Sequence, residues 1–308
     1  MPYRDLEPEV LIAPPIPVQA PAEEIAYVIC SSPQSDDQVH AICVIDVNPT
    51  SRTYSDIVGS FALGQDDVRS GSGSIREEVA VSALRAGLTL DPEFGDSIAP
   101  NVLLAHNPSR PFGFVSSGFS LRDQSSAISI WYRDEGLSAS APCALRQVIT
   151  VADEPDRPEA LPKLLRPSGA VPALITDIAL SPDDRFLYVA CWGTGHLKQF
   201  DVSNPLLPRE IASIRVGGIT ARAAHPSQVR RLNGGPATIT VSQDGRRIYL
   251  TNALSRFWEQ QVYPDDLQGW MVKLDADPYG SIAIDPNFFV DFGDRRPQRA
   301  LLPKHGEW

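Results

Sequence analysis

Residues 175–205 read ITDIALSPDDRFLYVACWGTGHLKQFDVSNP. Ile175 to Leu180 is a short apolar run. Ser181, Asp183 and Asp184 follow, and short polar side chains of this kind bond their own backbone and hold a tight turn. An apolar and aromatic run, Phe186 to Cys191, then returns, and a further run closes at Asp201-Val202-Ser203-Asn204-Pro205, where proline stops the pairing. The same pattern recurs 61 positions on: Ser181, Arg185 and Tyr188 fall on Ser242, Arg246 and Tyr249, and WMVKLDAD supplies the next strand. Strand, tight turn, strand, turn, strand is an antiparallel meander.

Working outward, the pattern persists. EEIAYVICSS holds a strand around Ile25 to Ile29. QVHAICVIDVNPTSRTYSDIVGSF holds one around Ala41 to Val47, a turn at Asn48-Pro49 and a third run near Tyr54 to Phe61. NVLLAHNP, FGFVSS, AISIWYRDEG and LRQVITV follow from residue 101. The 28 Pro and 21 Gly supply turns and disfavour long helices. Repeated four-stranded meanders, none able to bury both faces alone, specify an all-β protein of β-propeller type. About five such units fit, on the order of 45–60 residues each.

The domain reading is an extended, Pro-rich arm over 1–22 and a single propeller domain over 23–308. Within it, 65–97 is a divergent linker. There Ser74 and Glu77 stand at capping-box spacing and Ile75, Val79, Ala83 and Leu84 share one face, which predicts a short helix over 75–86. Residues 153–170 read as a Pro-rich connector.

The net charge of -11 repels phosphate backbones and anionic lipid, so neither nucleic acid nor a membrane surface is the expected partner. No apolar stretch approaches the roughly 20 residues that span a bilayer. MPYRDLEPEV lacks the basic and apolar segments of a secretory leader, which gives a cytoplasmic expectation. Cys30, Cys43, Cys143 and Cys191 form no CxxC pair, so each reads as a small apolar residue.

The run 175–210, together with GGPATITVSQDGRRIYLTNALSRFWEQQVYP, DPNFFVDFG, EEIAYVIC, VIDVNP and LLAHNP…FGFV, resembles the selenium-binding protein / methanethiol oxidase family. The resemblance covers roughly 21–65 and 100–293. It implies a propeller of reduced blade number relative to the seven-bladed family fold. It also implies copper as a cofactor, since bacterial members use copper and oxygen to convert methanethiol to formaldehyde, sulfide and hydrogen peroxide. The paired histidines and the Cys-Ser-Ser-Cys element of the family have no counterpart between Cys43 and His106. A family cysteine falls on Ser55, and about a third of the family length is absent. The sequence accordingly lacks most of the ligands that copper oxidation in the family uses.

Of five histidines, His106 sits in the family-like Ala-His-Asn-Pro motif and is the candidate catalytic and metal-binding residue. The alternative is a histidine that holds a turn backbone. His40, His196, His225 and His305 are unpaired in sequence, His305 being a weak stand-in for a tail histidine. Trp192, Trp258, Gln261 and Tyr263 match family segments and are the candidate binding residues, either as an aromatic-walled pocket or as packing between blades. Asp183 and Asp184 read as turn caps. No phosphate loop, nucleophile elbow or metalloprotease helix occurs.

Three functions stay open. One is a shortened family enzyme acting on a small sulfur-containing or apolar molecule in the propeller funnel. The second is a metal-free, repurposed biosynthetic catalyst or ligand-binding module. The third is a protein-interaction scaffold. If blades fail to close, a homodimer covers the open edge.

Overall fold

The structure is a computed structural model. It describes residues 21–32, 35–62, 101–107, 112–119, 125–132, 144–229, 231–254, 256–263 and 267–303, with backbone alone at 32, 35–40, 101, 257 and 258. The linker over 65–97 with its helix, most of the N-terminal arm, Cys143 and His305 lie outside the described residues, as do the side chains of His40 and Trp258.

Four four-stranded antiparallel sheets hold the described chain. The first contains β1 (Ile25–Ser32), β2 (Ser35–Asp46) and β3 (Ile57–Ala62). The second is β4 (Asn101–Leu104), β5 (Phe112–Ser117), β6 (Ser126–Tyr132) and β7 (Ala144–Val151). A two-stranded pair, β8 (Glu154–Pro155) and β9 (Ala170–Val171), lies at the ends of the segment read as a connector. The third sheet is β10 (Ile175–Leu180), β11 (Phe186–Cys191), β12 (His196–Asp201) and β13 (Arg209–Arg215). The fourth is β14 (Thr238–Val241), β15 (Arg247–Thr251), β16 (Gly269–Ala276) and β17 (Ile282–Gly293). Finally β18 (Arg296–Leu301) returns to pair with β1, Val28 opposite Ala300, and completes the first sheet. Sequence-distant ends thus share one sheet.

Burial follows from the two-residue period of a strand. Leu187, Val189 and Cys191 of β11 pack against Phe114, Ile128 and Ile130 of the second sheet. Phe186, Tyr188 and Ala190, on the other face of β11, pack against Ile239, Ile248 and Val272 of the fourth. Tyr249, Met271 and Phe288 leave the fourth sheet in the opposite direction, onto Val28, Cys43 and Ile45 of the first. The third and fourth sheets are thus each sandwiched between two others. Sheets stacked face to face in this way are the packing of a propeller, and the strand-rich composition matches the all-β expectation.

The turn chemistry repeats as the sequence echo requires. Ser181 Oγ donates to Asp183 Oδ1 at 2.5 Å and accepts the Phe186 amide at 2.9 Å. Ser242 Oγ donates to Asp244 Oδ1 at 2.6 Å and accepts the Arg247 amide at 2.9 Å.

Two local expectations are corrected. The third run of the first sheet starts at Ile57, because residues 49–56 form turns in which Asp46 accepts from Asn48 N and Thr53 Oγ1. A helix not expected from sequence, α1 (Arg256–Val262), carries the Trp258–Gln261 segment. At seven residues it is too short to show helical periodicity, and the carboxylate of Glu259 secures it by accepting the Leu254 amide at 2.7 Å.

Candidate functional site

The sequence-derived candidates separate onto the two ends of the sheets. His106 lies in the β4–β5 turn and reaches across to the β10–β11 turn of the next sheet. Its Nδ1 is 2.8 Å from Asp184 Oδ1, and Asp184 also accepts the amides of His106 at 2.8 Å and Asn107 at 2.9 Å. Burial would push the Asp184 carboxyl up, but these donors outweigh it and its pKa falls below the usual carboxylate value. The hydrogen bond to Asp184 holds the half-exposed His106 imidazole above its usual value.

Trp192 follows the far end of β11, six strand residues from that turn, or roughly 20 Å away. It is buried, with Nε1 donating to Asn252 O at 3.0 Å and its ring perpendicular to Tyr263 at 5.8 Å. The Tyr263 hydroxyl donates to Gly218 O at 2.8 Å, and Arg222 lies over the Tyr263 ring. Asn252 ties the cluster together: it accepts the Trp270 amide through Oδ1 and donates through Nδ2 to Asn233 O and Gln268 O. Gly235 lies against Trp192, where a Cβ would sit 2.3 Å from the Trp192 carbonyl oxygen. Gln261, on α1, is exposed. The structure therefore brings Trp192 and Tyr263 together, with their polar atoms bonded to backbone, and sets His106 at the opposite end.

A third cluster was not among the candidates. The first strands β4, β10 and β14 and the closing strand β18 lie side by side in that order where the sheets converge. There Asp177 of β10, buried, accepts the Ile178 amide at 3.0 Å, the Ile239 amide of β14 at 2.8 Å and Arg299 Nη2 of β18 at 2.9 Å. Burial raises the Asp177 pKa, and Arg299 with the two amides offsets only part of the rise. Thr240 Oγ1 donates to Ala300 O and Thr251 Oγ1 to Gln298 O, fastening β18 to the same axis. The Arg299 side chain remains about half exposed (49%). Asp177 pairs with Ala190, which places the cluster toward the Trp192 end. Its signal in the sequence is a lone charge, Asp177, inside an otherwise apolar strand.

Copper needs several soft or imidazole donors converging on one point. His106 is committed to Asp184. His196 sits 3.5 Å from Glu154, which Arg215 already clasps at 2.8 and 2.9 Å, and His225 bonds Ser227 and the Asp285 carbonyl. Among the described residues no three His, Cys, Asp or Glu side chains form a group able to hold a metal. The described donor set does not fit the copper that the family resemblance implies. Among the same residues, no helix is long and apolar enough to cross a membrane.

Face-to-face stacked meanders with polar groups at their convergence define a protein of the β-propeller class. Within that class, this chain belongs to the 56 kDa selenium-binding protein family, whose model matches residues 85–305. It is 35% identical over 219 residues to the methanethiol oxidase of Homo sapiens, covering 64% of this chain and 43% of that protein. It is 34% identical to selenium-binding protein 2 of Mus musculus over 218 residues, with the same coverages. The chain thus spans less than half the length of these curated relatives. A solved structure of a hypothetical selenium-binding protein from Sulfolobus tokodaii superposes with a TM-score of 0.76 at 26% identity, covering 92% of this chain and 94% of that one.

Proposed function

We propose that the chain binds and acts on a small sulfur-containing molecule at the face where β10, β14 and β18 converge. The observation that carries this reading is the Asp177–Arg299 pair. A buried carboxylate that also accepts two backbone amides fixes the guanidinium of a side chain that is about half exposed. A guanidinium so anchored presents planar, directional donors to an anion, and a thiolate or a carboxylate-bearing thiol meets that chemistry. The relatives named methanethiol oxidase supply the direction toward sulfur compounds. In this reading Arg299 lowers the pKa of a bound thiol and holds its sulfur, and Asp177 keeps the guanidinium oriented. No step is routed through copper, because the described donors do not fit it.

The test is titration calorimetry of the full chain with ethanethiol and with mercaptoacetate, for the native protein and for Arg299→Leu and Arg299→Lys. Arg299→Leu is expected to weaken binding at least tenfold, and Arg299→Lys to recover part of it. Binding that ignores both substitutions, or no binding at all, overturns the assignment. Elemental analysis of the same preparation completes the test: stoichiometric copper together with oxygen uptake on methanethiol would replace it with the oxidase chemistry of the relatives.

A further inference from the structure

Two cysteines outside this site face each other. Cys30 of β1 and Cys43 of β2 lie on the same buried face of the first sheet, with their sulfurs 3.8 Å apart. In the strand register Val28 stands opposite Cys43 and Cys30 opposite Ala41, so the two thiols are diagonal neighbours. Arg295, in the turn that leads into β18, donates from Nη1 to Cys43 Sγ at 3.3 Å. Cys30 donates its S–H to Cys43, and that bond, with Arg295 and Ser60, holds the Cys43 thiol well below its ordinary range. The same contact, with burial, pushes Cys30 up. One sulfur is thus favoured as the thiolate and its neighbour remains a thiol, the division of labour between an attacking and a resolving cysteine.

The third sheet provides an internal contrast. Asp46 and Asp201 end equivalent strands, and counting back along the two registers places Cys191 where Cys30 stands and Lys198 where Cys43 stands. Cys191 has no thiol opposite, and burial pushes its pKa up to about 12. The pairing is therefore a property of the first sheet and not of the repeated fold. The guanidinium at Cys43 also decides the chemistry: it favours an anionic sulfur and repels a metal cation, which points to oxidation.

We propose that Cys43 and Cys30 are a redox pair that hydrogen peroxide converts to a disulfide between β1 and β2. The Cys43 thiolate attacks the peroxide oxygen, the O–O bond breaks, and the sulfenic acid and hydroxide form. The Cys30 thiol then displaces the sulfenic oxygen as water, giving the S–S bond. Overall two thiols lose two electrons and two protons, and one peroxide becomes two molecules of water. Hydrogen peroxide is of nearly the size of water, so it suits two buried sulfurs that larger reagents reach slowly. The product ties β2 to β1, the strand with which β18 pairs.

The test treats the folded, full-length protein with hydrogen peroxide, quenches with an alkylating reagent in denaturant, and maps the peptides. Arg4 and Arg52 are the nearest basic residues on either side, so both cysteines fall on one tryptic peptide, and cleavage at Asp36–Asp37 separates them. The expected result is that peptide lighter by two hydrogens, its Asp-cleaved halves staying joined until reduced, with Cys191 still alkylated. In Cys30→Ser, Cys43 is trapped as a sulfenic acid by dimedone. Arg295→Met slows the oxidation about tenfold, and Arg295→Lys less. The proposal is overturned if both thiols stay alkylatable in the folded protein, if Cys191 or Cys143 oxidises first, or if Arg295→Met oxidises at the native rate.

Discussion

Asp184 occupies, with φ of 56°, the left-handed turn position that Gly245 fills with φ of 70° in the neighbouring sheet. The two turns are otherwise the same device: Ser181 and Ser242 bond Asp183 and Asp244, and Asp184 N and Gly245 N return to Ser181 O and Ser242 O. A side chain in that conformation costs about 1 kcal/mol relative to glycine. What offsets the cost is the Asp184 carboxylate, which takes the backbone amides of His106 and Asn107 and the His106 ring from the second sheet. Asp184→Gly therefore relieves strain and still destabilises the protein. It leaves two amides and an imidazole without their acceptor, a loss of about 1–3 kcal/mol after the relief is counted. Urea denaturation should show a lower midpoint for Asp184→Gly; a midpoint at or above the native one would contradict this account.

The same pair makes a pH prediction. The His106 pKa is raised from 6.5, so its stabilisation is complete below about pH 6.5 and is lost as the pH rises through the folded value. The Asp184 pKa is lowered from 3.8, so its stabilisation is complete above that value and is lost as the pH falls through the folded one. The interaction is strongest between the two windows. Native protein should exceed His106→Asn in stability by more at about pH 5.5 than at about pH 8.5. His106 is half exposed, so the difference is small. An NMR titration placing the His106 midpoint at or below the ordinary histidine value would rule it out.

These cases show how far local sequence carries. The Ser–Asp turns were legible because their chemistry is contained within four or five residues, and the echo from Ser181 to Ser242 made the fold readable. His106 was singled out by its motif, yet its partner stands 78 residues away, and only the stacking of the second sheet on the third joins them. Asp177 passed as part of an apolar run, because the cation that gives its charge a role comes from β18, 122 residues on. Cys30 and Cys43, 13 residues apart, looked like two small apolar residues. Strand register and the distant Arg295 make them a pair. Trp192 and Tyr263 were grouped in sequence and meet in space, whereas nothing local indicated that His106 lies at the other end of the sheets.

Asn252 is expected to be more sensitive than either aromatic residue it serves. It is fully buried, and its side chain satisfies the Trp270 amide, Asn233 O and Gln268 O at once, while its backbone carbonyl receives Trp192 Nε1. Asn252→Ala removes the three side-chain bonds and leaves a buried amide unpaired, for a loss of about 2–4 kcal/mol. Trp192→Phe keeps the packing against Tyr263 and frees only one carbonyl, for about 1–2 kcal/mol. Thermal unfolding of the two variants side by side should rank them in that order, and the reverse order would deny Asn252 its central place.

The attachment of β18 rests partly on a buried ion pair. Arg296, its first residue, donates from Nη1 and Nη2 to the two carboxylate oxygens of Glu259 in α1, the second bond at 2.9 Å, and both side chains are buried. Glu259 Oε1 also takes the Leu254 amide, so the carboxylate fixes the start of the helix and the start of the closing strand together. Removing one partner strands a charge in a dry site: Glu259→Ala should cost about 3–5 kcal/mol, and Arg296→Met a similar amount. Removing both leaves no buried charge, so Glu259→Leu with Arg296→Met should be far less damaging than the sum of the single changes. Since β18 completes the first sheet against β1, the single variants should also loosen that edge, and hydrogen exchange at Val28 and Ile29 should quicken in them while it stays slow in the double variant. Additive losses in the cycle, with exchange unchanged at β1, would mean that the pair is incidental to the closure of the sheet.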